Sequence, residues 1–409
     1  MAAATQTLSN SDARLLFLNS AIRKSQFISP AQTPSLGSTL TFVLPKAGVG
    51  RGILLTVSLP ISIVSTAQIP SAKNVFSIFN NIRLTDYSGV DRVNSSGWGL
   101  YLLSILKKDD GWEPSSGYPY SLPGAQNTTS PYVAATMPFG VAGMYSPQSS
   151  TGGGANTFSA TNRWSIPTAI ANPTSVVFSL WIPIAFGWND PRGALLLNVP
   201  NGQVQLQLTM NSVLTASSGV DQLYTTASGT VALASPSTSN VVATVYYWDP
   251  IAVPGVPTNE YPGGIPIPYQ DLQLVHEVRS FTDPTGFAAS TEKQYVLTTG
   301  RDYYRVISSI VENGTFNSSH VSRIRFIYDG NTATYDEYTA AHQARVQMET
   351  GRELPEGVFY YDFSKRPFDS NSYGQLAIGT TVSSSFSNTS PTYQEIITDA
   401  LYMATMSAA

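Results

Sequence analysis

Along much of this chain apolar and polar positions alternate with a period of two, and the clearest stretch lies between Val176 and Met210. The run VVFSLWIPIAFGWN is apolar and rich in β-branched and aromatic residues, as a strand buried on both faces is. Asn189-Asp190-Pro191 then supplies an N-cap with a proline in the first turn, so one short helix is expected through Leu197. Val199-Pro200-Asn201-Gly202 ends it. Val204, Leu206, Leu208 and Met210 then alternate with Gln203, Gln205, Gln207 and Thr209, which predicts a half-buried strand.

The same reading carried along the chain predicts short strands with helices between them. Ser11 and Asp12 cap a helix reaching about Ser25, with Leu15, Leu16, Leu18 and Ile22 apolar and Arg23-Lys24 at its carboxyl end. Pro30 to Gly37 reads as an exit loop. Strands are expected at 38–44, 52–64 and 74–86, with Gly48-Val49-Gly50-Arg51-Gly52 as a hairpin turn. Ser96 caps a second helix, Gly97 to Leu106. From Pro114 to Asn162 no residue is charged, which suggests a long excursion with a strand near 132–138. Another strand is expected at 241–248.

Asp249 to Pro268 holds six prolines and three glycines in twenty residues, an extended, semi-rigid connector and the expected domain boundary. Beyond it the pattern restarts, with strands near 271–281, 293–298, 303–311 and 321–329. Thr334 and Glu337 read as the capping box of a helix closed by Gly351. Strands follow at 357–363, 374–386 and 392–404. Each half places a helix before a strand opening Gly-apolar-apolar, Gly193-Ala194-Leu195 and Gly357-Val358-Phe359, which suggests an internal duplication. Many short strands with long excursions fit jelly rolls or sandwiches.

Composition sharpens this picture. Only 12% of the 409 residues are charged, about half the ~25% of ordinary globular domains. Such a surface repels copies of itself weakly. Net charge is −4, yet residues 1–51 carry Arg14, Arg23, Lys24, Lys46 and Arg51 against Asp12 alone; that arm is +4 and the remainder −8. A basic arm on an acidic body suits an anionic neighbour, a membrane surface or nucleic acid, and equally a solvated helix end. With no cysteine, disulfides, thiolate metal sites and a cysteine nucleophile are excluded. The amino terminus lacks the pattern of a signal peptide, and Thr174 to Trp188 is too short to span ~30 Å of hydrocarbon, so a soluble chain is expected.

Candidate chemistry is sparse. Gly48-x-Gly50-x-Gly52 has the wrong spacing for a dinucleotide loop, and Ser104-Ile-Leu-Lys107 lacks the companion motifs of an acylating serine. His276, His320 and His342 lie far apart, and His342 reads as a packed core residue. Asp86 with Asp91, and Glu353 with Glu356, read as turn residues rather than a glycosidase pair. Trp98 and Trp181 sit in apolar segments and read as core. Trp112, with Tyr118 and Tyr120, is the better candidate for an exposed contact.

Several segments in order resemble the double jelly-roll major capsid proteins of tailless, membrane-containing icosahedral phages, the tectivirus type in the adenovirus-hexon lineage. They include Ser96-Gly97-Trp98, Trp181 through Ala185, Gly193-Ala194 with Asn198-Val199-Pro200, and Tyr304-Arg305. Ile310 through Phe316-Asn317, Gly357-Val358, Arg366-Pro367 and Tyr373-Gly374 continue the series.

The resemblance implies a mainly β fold of two tandem eight-stranded jelly-roll barrels with short flanking helices and an N-terminal helical arm. The corresponding division is an arm at 1–35, a first roll at 36–249, a linker at 250–268 and a second roll with its tail at 269–409. It implies a non-enzymatic coat protein, a homotrimer forming pseudo-hexagonal capsomers in an icosahedral shell, with no cofactor or metal. Neighbouring capsomers, penton and minor capsid proteins would be its partners, with no sequence-specific nucleic-acid binding. Arg14, Leu15, Leu16, Leu18, Ile22, Arg23 and Lys24 would face the internal viral membrane or a neighbouring capsomer. The alternative is an extracellular carbohydrate-binding β-sandwich protein contacting sugar through Trp112, Tyr118 and Tyr120.

Overall fold

A computed structural model describes residues 8–64, 71, 73–106, 171–215, 221–224, 231–234, 240–283, 292–298, 300–312, 315–316, 321–328, 332–350, 357–363, 368–369, 377–382 and 393–403. The expected strand at 132–138 and the residues Trp112, Tyr118 and Tyr120 lie outside these.

The chain opens with helix α1 (Asn10–Ser20), capped by Ser9, whose hydroxyl accepts from the Asp12 N–H at 3.2 Å. The cap is Ser9, ahead of the expected pair, and the helix stops at Ser20 rather than Ser25. Strand β1 (Ile22–Gln32) takes over because its backbone finds a partner, β10 (Asn240–Asp249), from Ile22↔Asp249 to Ile28↔Ala243. Tertiary pairing outweighs local helix propensity and also absorbs the start of the expected Pro30 loop.

The first half continues with β2 (Thr39–Val43), β3 (Val49–Ile63), β4 (Phe79–Thr85), β5 (Asp91–Ser95), helix α2 (Gly97–Leu106) and β6 (Ala171–Pro183). The short β7 (Leu195–Leu196), β8 (Gln205–Met210) and the short β9 (Val231–Leu233) precede β10. The principal strands form two antiparallel layers, β1-β10-β3-β6 and β2-β8-β4-β5. Counting those eight strands along the chain, the orders are 1-8-3-6 and 2-7-4-5, which is a jelly roll. The period-two reading holds inside it: Ile53, Leu55, Val57, Leu59, Ile61 and Ile63 of β3 and Leu206, Leu208 and Met210 of β8 are all buried. Each such aliphatic side chain stabilises the fold by roughly 1.5–3 kcal/mol.

The second half supplies a short helix α3 (Tyr269–Leu272), β11 (Leu274–Asp283), β12 (Glu292–Val296), β13 (Asp302–Glu312), the short β14 (Thr315–Phe316), β15 (Val321–Tyr328) and β16 (Thr332–Tyr338). Helix α4 (Thr339–Thr350), β17 (Val358–Asp362), β18 (Phe368–Asp369), β19 (Ala377–Val382) and β20 (Tyr393–Met403) complete it. Its layers are β11-β20-β13-β17 and β12-β19-β15-β16, the same 1-8-3-6 and 2-7-4-5 orders. The duplication is therefore visible in the strand order. One join links the two rolls: β5 runs parallel to β11, Val93 beside Val278 and Asn94 beside Arg279, which merges one layer of each roll into a ten-stranded sheet.

Three local expectations give way to the packing. Residues 189–197 form turns and the strand β7 instead of a helix, because the Asp190 carboxylate accepts from the Arg192 guanidinium and backbone N–H rather than capping a helix. Gly193 there has φ +70°, and a Cβ on it would meet the backbone of His276 at 2.6 Å. Gly48–Gly52 is no hairpin turn: β2 and β3 lie in different layers, so the chain turns a corner between sheets. Gly52 sits within β3 because a Cβ would strike the Trp181 indole, 2.2 Å away. Thr334 and Glu337 lie in β16, paired with β15, and α4 starts only at Thr339. The real helix–strand repeat is α2 before β6 and α4 before β17, each between the fifth and sixth principal strands.

Candidate assembly interface

In a chain with so few charges, the place where they cluster is informative. Many of those described lie along the seam where β5 meets β11. Arg92, on β5, donates to Asp86 at 2.8 Å and to the carbonyls of Gly193 and Leu274 at 3.2 and 3.4 Å, so it ties the first roll to the start of the second. His276 on β11 places Nδ1 3.2 Å from the Ile184 carbonyl and Nε2 2.6 Å from Asp399. Both ring nitrogens thus face oxygen atoms, one in each roll. The other Asp399 oxygen accepts from Arg305 at 2.8 Å. The Asp399 and Arg305 side chains are fully buried. Burial opposes the Arg305 charge, but neighbouring Asp399 outweighs it and raises the guanidinium above its ordinary pKa.

A second buried cluster lies near the beginning of α2. Lys73 Nζ is 2.6 Å from Asp221 and 2.6 Å from Glu395, which is β20's contribution from the second roll. Ser96 donates its hydroxyl to Glu395 and accepts from the Gly99 N–H at 2.9 Å, so the predicted cap of α2 is also a cross-roll contact. Ser96 N–H in turn donates to the Ser280 hydroxyl at 2.9 Å. Helix α2 is pressed against β20 closely enough that a Cβ on Gly99 would lie 2.9 Å from Ile397. Trp98, Tyr101 and Leu102 are buried on it, and the Tyr360 hydroxyl donates to the Leu106 carbonyl at 3.4 Å. A polar cavity of about 550 Å³ opens here, lined by Lys73, Asn81, Trp98, Asn211, Asp221 and Thr282. Taking away one member of a buried ion pair costs about 3–5 kcal/mol, because the other is left charged without water. The seam therefore holds the two rolls in one fixed placement.

Asp86 and Asp91 are turn and strand-end residues, as read from sequence: Asp86 accepts from the Ser88 and Val90 N–H groups, and Asp91 from Arg83. His342 is a packed core residue, donating from Nδ1 to Glu337 and accepting at Nε2 from the Tyr360 N–H. Trp98 is core, whereas Trp181 is half-buried, covering Gly52 and packing on Trp188 and Tyr246. Among the described residues no group of three or more His, Asp or Glu is arranged to hold a metal ion, and no helix is long and apolar enough to cross a membrane.

The arm is placed by contacts within its own chain. Arg14 makes a two-armed bond to Asp271, which raises its pKa, and Asn10 joins the same carboxylate at 3.1 Å. Ala13 packs with Val256 and Tyr261 of the proline-rich connector, with Leu16 beside them. Phe17 packs edge-on against Trp248, with Leu18 alongside. Leu15 and Ile22 point outward at 60% and 49% exposure. Arg23 donates to Asn189, and Lys24 pairs with Asp249 on the surface.

Sequence reasoning missed the seam. Its signal was present: single charged residues inside otherwise apolar strands, Asp399 within Ile396-Ile397-Thr398-Asp399-Ala400-Leu401 and His276-Glu277 between Val275 and Val278. A charge at such a position is buried and must have a partner.

Comparison with known proteins agrees with this architecture. No family model matches the chain. Of curated proteins, "Major capsid protein P3" of Enterobacteria phage PRD1 is 27% identical over 207 residues. That match covers 48% of this chain and spans about half, 49%, of the relative. Among solved structures, the crystal structure of the STIV MCP has a TM-score of 0.59 at 13% identity, covering 95% of this chain and all of that one. A structure from Sulfolobus Turreted Icosahedral Virus has a TM-score of 0.60 at 12% identity, covering 93% of this chain and 91% of that one. PBCV-1 VP54 follows at 0.56 and 11% identity, over 94% and 95% of the two chains. The chain thus has the double jelly-roll fold. In that fold it is similar to viral major capsid proteins.

Proposed function

We propose that this protein is the major capsid protein of a tailless icosahedral phage, a homotrimer whose six jelly rolls form a pseudo-hexagonal capsomer of the virion shell. The observation that carries this reading is the pair of rolls with identical strand order, locked side by side by buried charges, in a chain similar to a phage major capsid protein. A rigid double unit with a weakly charged surface is suited to tiling. The division at 250–268 and the coarse boundaries 36–249 and 269–409 belong to the same reading. So does the arm: Leu15, Ile22, Arg23 and Lys24 reach toward an internal membrane or a neighbouring capsomer, while Arg14, Leu16 and Leu18 anchor the helix on its own subunit. Penton and minor capsid proteins are the further partners.

Purified protein is expected to run near three times 43.9 kDa by mass photometry and to show hexagonal particles with threefold symmetry in negative stain. A monomer that binds glycans saturably, and loses that binding in Trp112→Ala, would replace this reading with the carbohydrate-binding one.

A further inference from the structure

The seam inside one chain contains the plan of the contact between two chains. In each roll the first and fifth principal strands lie at outer positions of their own layers. Within the chain, the fifth strand of roll one, β5, meets the first strand of roll two, β11. That leaves the first strand of roll one, β1, and the fifth strand of roll two, β16, each at the edge of its sheet. The burial of the equivalent elements differs accordingly. β11 has Val275, His276, Glu277 and Val278 buried in succession, whereas β1 has Ile28 alone buried and Phe27 46% exposed. Helix α2 is buried against β20. Its counterpart α4 leaves Ala340, Ala341 and Ala344 exposed and Met348 85% exposed, with Tyr338 72% exposed at the preceding strand end. Small residues on that face allow the close approach that Gly99 allows on α2.

We infer that β16 of one copy lies parallel to β1 of the next, with α4 covered by that copy's β10, repeating the β5–β11 and α2–β20 contacts between chains. This rests on the trimeric reading above. Applied again, the operation that carries roll one onto roll two brings two different, complementary edges together, and such a heterologous contact closes into a ring when its rotation permits. The register follows from equivalence. Phe27 is the sixth residue of β1 as Arg279 is of β11, each strand's first residue pairing with the last of its neighbour, Asp249 or Met403. Asp336 precedes α4 by three residues as Asn94 precedes α2. Since Asn94 lies beside Arg279, Asp336 of one copy lies beside Phe27 of the next.

The chain has no cysteine, so an introduced pair reports cleanly. Neighbouring strands run about 4.8 Å apart, within the Cα separation of about 4.4–6.8 Å that a disulfide accepts. Oxidised F27C/D336C is expected to run as covalent dimer and trimer on a non-reducing gel, and neither single variant should. A double variant that is trimeric by mass photometry yet monomeric on that gel overturns the inference and leaves the capsomer reading standing. A wild-type protein that is monomeric overturns both. As a second arm, Ala344→Glu buries a charge between copies and is expected to lower the trimer fraction by about tenfold or more, with an unchanged circular dichroism spectrum. Trimers undiminished in this variant would place α4 outside the contact.

Discussion

The seam and the arm both hold distant parts of the chain together with ion pairs, and they differ in access to water. At the seam, Arg305 and Asp399 are wholly buried and His276 is 1% exposed. In the arm, Arg14 remains 35% exposed, and Lys24 and Asp249 stand at 45% and 38%. Water reaches both partners of the Lys24–Asp249 pair and the Arg14 side of the other, although Asp271 itself is buried, and it screens them accordingly. The first kind has no such escape, so its geometry is enforced. Charge at the seam sets where one roll sits relative to the other, and charge in the arm leaves the arm adjustable.

The largest effect should come from Asp399→Ala. It removes the carboxylate that Arg305 and His276 share in the same buried space, and a loss of about 3–5 kcal/mol is expected, read as a fall in Tm by calorimetry. Asp399→Asn, which keeps acceptor and shape, should lose less. Equal Tm for wild type and Asp399→Ala would mean that water reaches the seam, and the contrast with the arm would vanish.

Next comes a pH effect at the histidine inside the second roll. His342 is buried and its pKa is pushed down to about 4, chiefly by desolvation, with Arg345 adding repulsion against the pull of Glu337. In the unfolded chain the ring titrates near 6.5. Between those values the unfolded state binds the extra proton, so stability rises with pH there. It is complete above about 6.5 and is lost as pH falls toward 4. Glu337, held below its usual range against the cost of burial by bonds from Arg345 and His342, loses its contribution in the same direction at lower pH. A decline of about 2–3 kcal/mol between pH 7 and 4 is expected from His342. His342→Gln should flatten that part of the Tm–pH curve. A slope unchanged in the variant would assign it to other groups.

How much of this was legible beforehand depends on what each feature asks of the chain. Strand β3 and helix α2 were readable because their determinants are local: alternation from Ile53 to Ile63, and Ser96 ahead of Gly97–Leu106. Strand β1 was misread because only Ile28 of its eleven residues is buried, so no alternation marks it, and its identity comes from β10 more than two hundred residues away. Asp190 and Glu337 were misread as helix caps because a carboxylate near a helix-like run is ambiguous until its partner is known, Arg192 in one case and Arg345 with His342 in the other. The double roll came from the ordered resemblance of segments, and the strand orders bear it out. The seam needed coordinates, because which buried charge meets which is a matter of long-range placement.

Arg14→Ala tests the arm more gently. Asp271 is itself buried but keeps the Asn10 amide, and Arg14 is partly exposed, so a loss of about 1–3 kcal/mol is expected, below the Asp399 effect. A loss as large as at the seam would mean that the arm is as rigidly fixed as the rolls.

The smallest stability change, and the sharpest distinction, is expected from Lys24→Ala. Its ammonium pairs with Asp249 in open solvent, which raises its pKa without burying it, so Tm should not move. If the arm's exposed cations serve a partner rather than the fold, binding of the trimer to vesicles rich in anionic lipid should nevertheless weaken, by roughly fivefold for each charge removed, and should weaken again in added salt. Arg23→Ala, whose side chain meets only the neutral Asn189 amide oxygen among its described bonds, should behave the same way. A variant that binds vesicles as wild type does while Tm stays fixed would detach the arm from any membrane. The pair of measurements divides the two roles because a purely structural lysine would move Tm first.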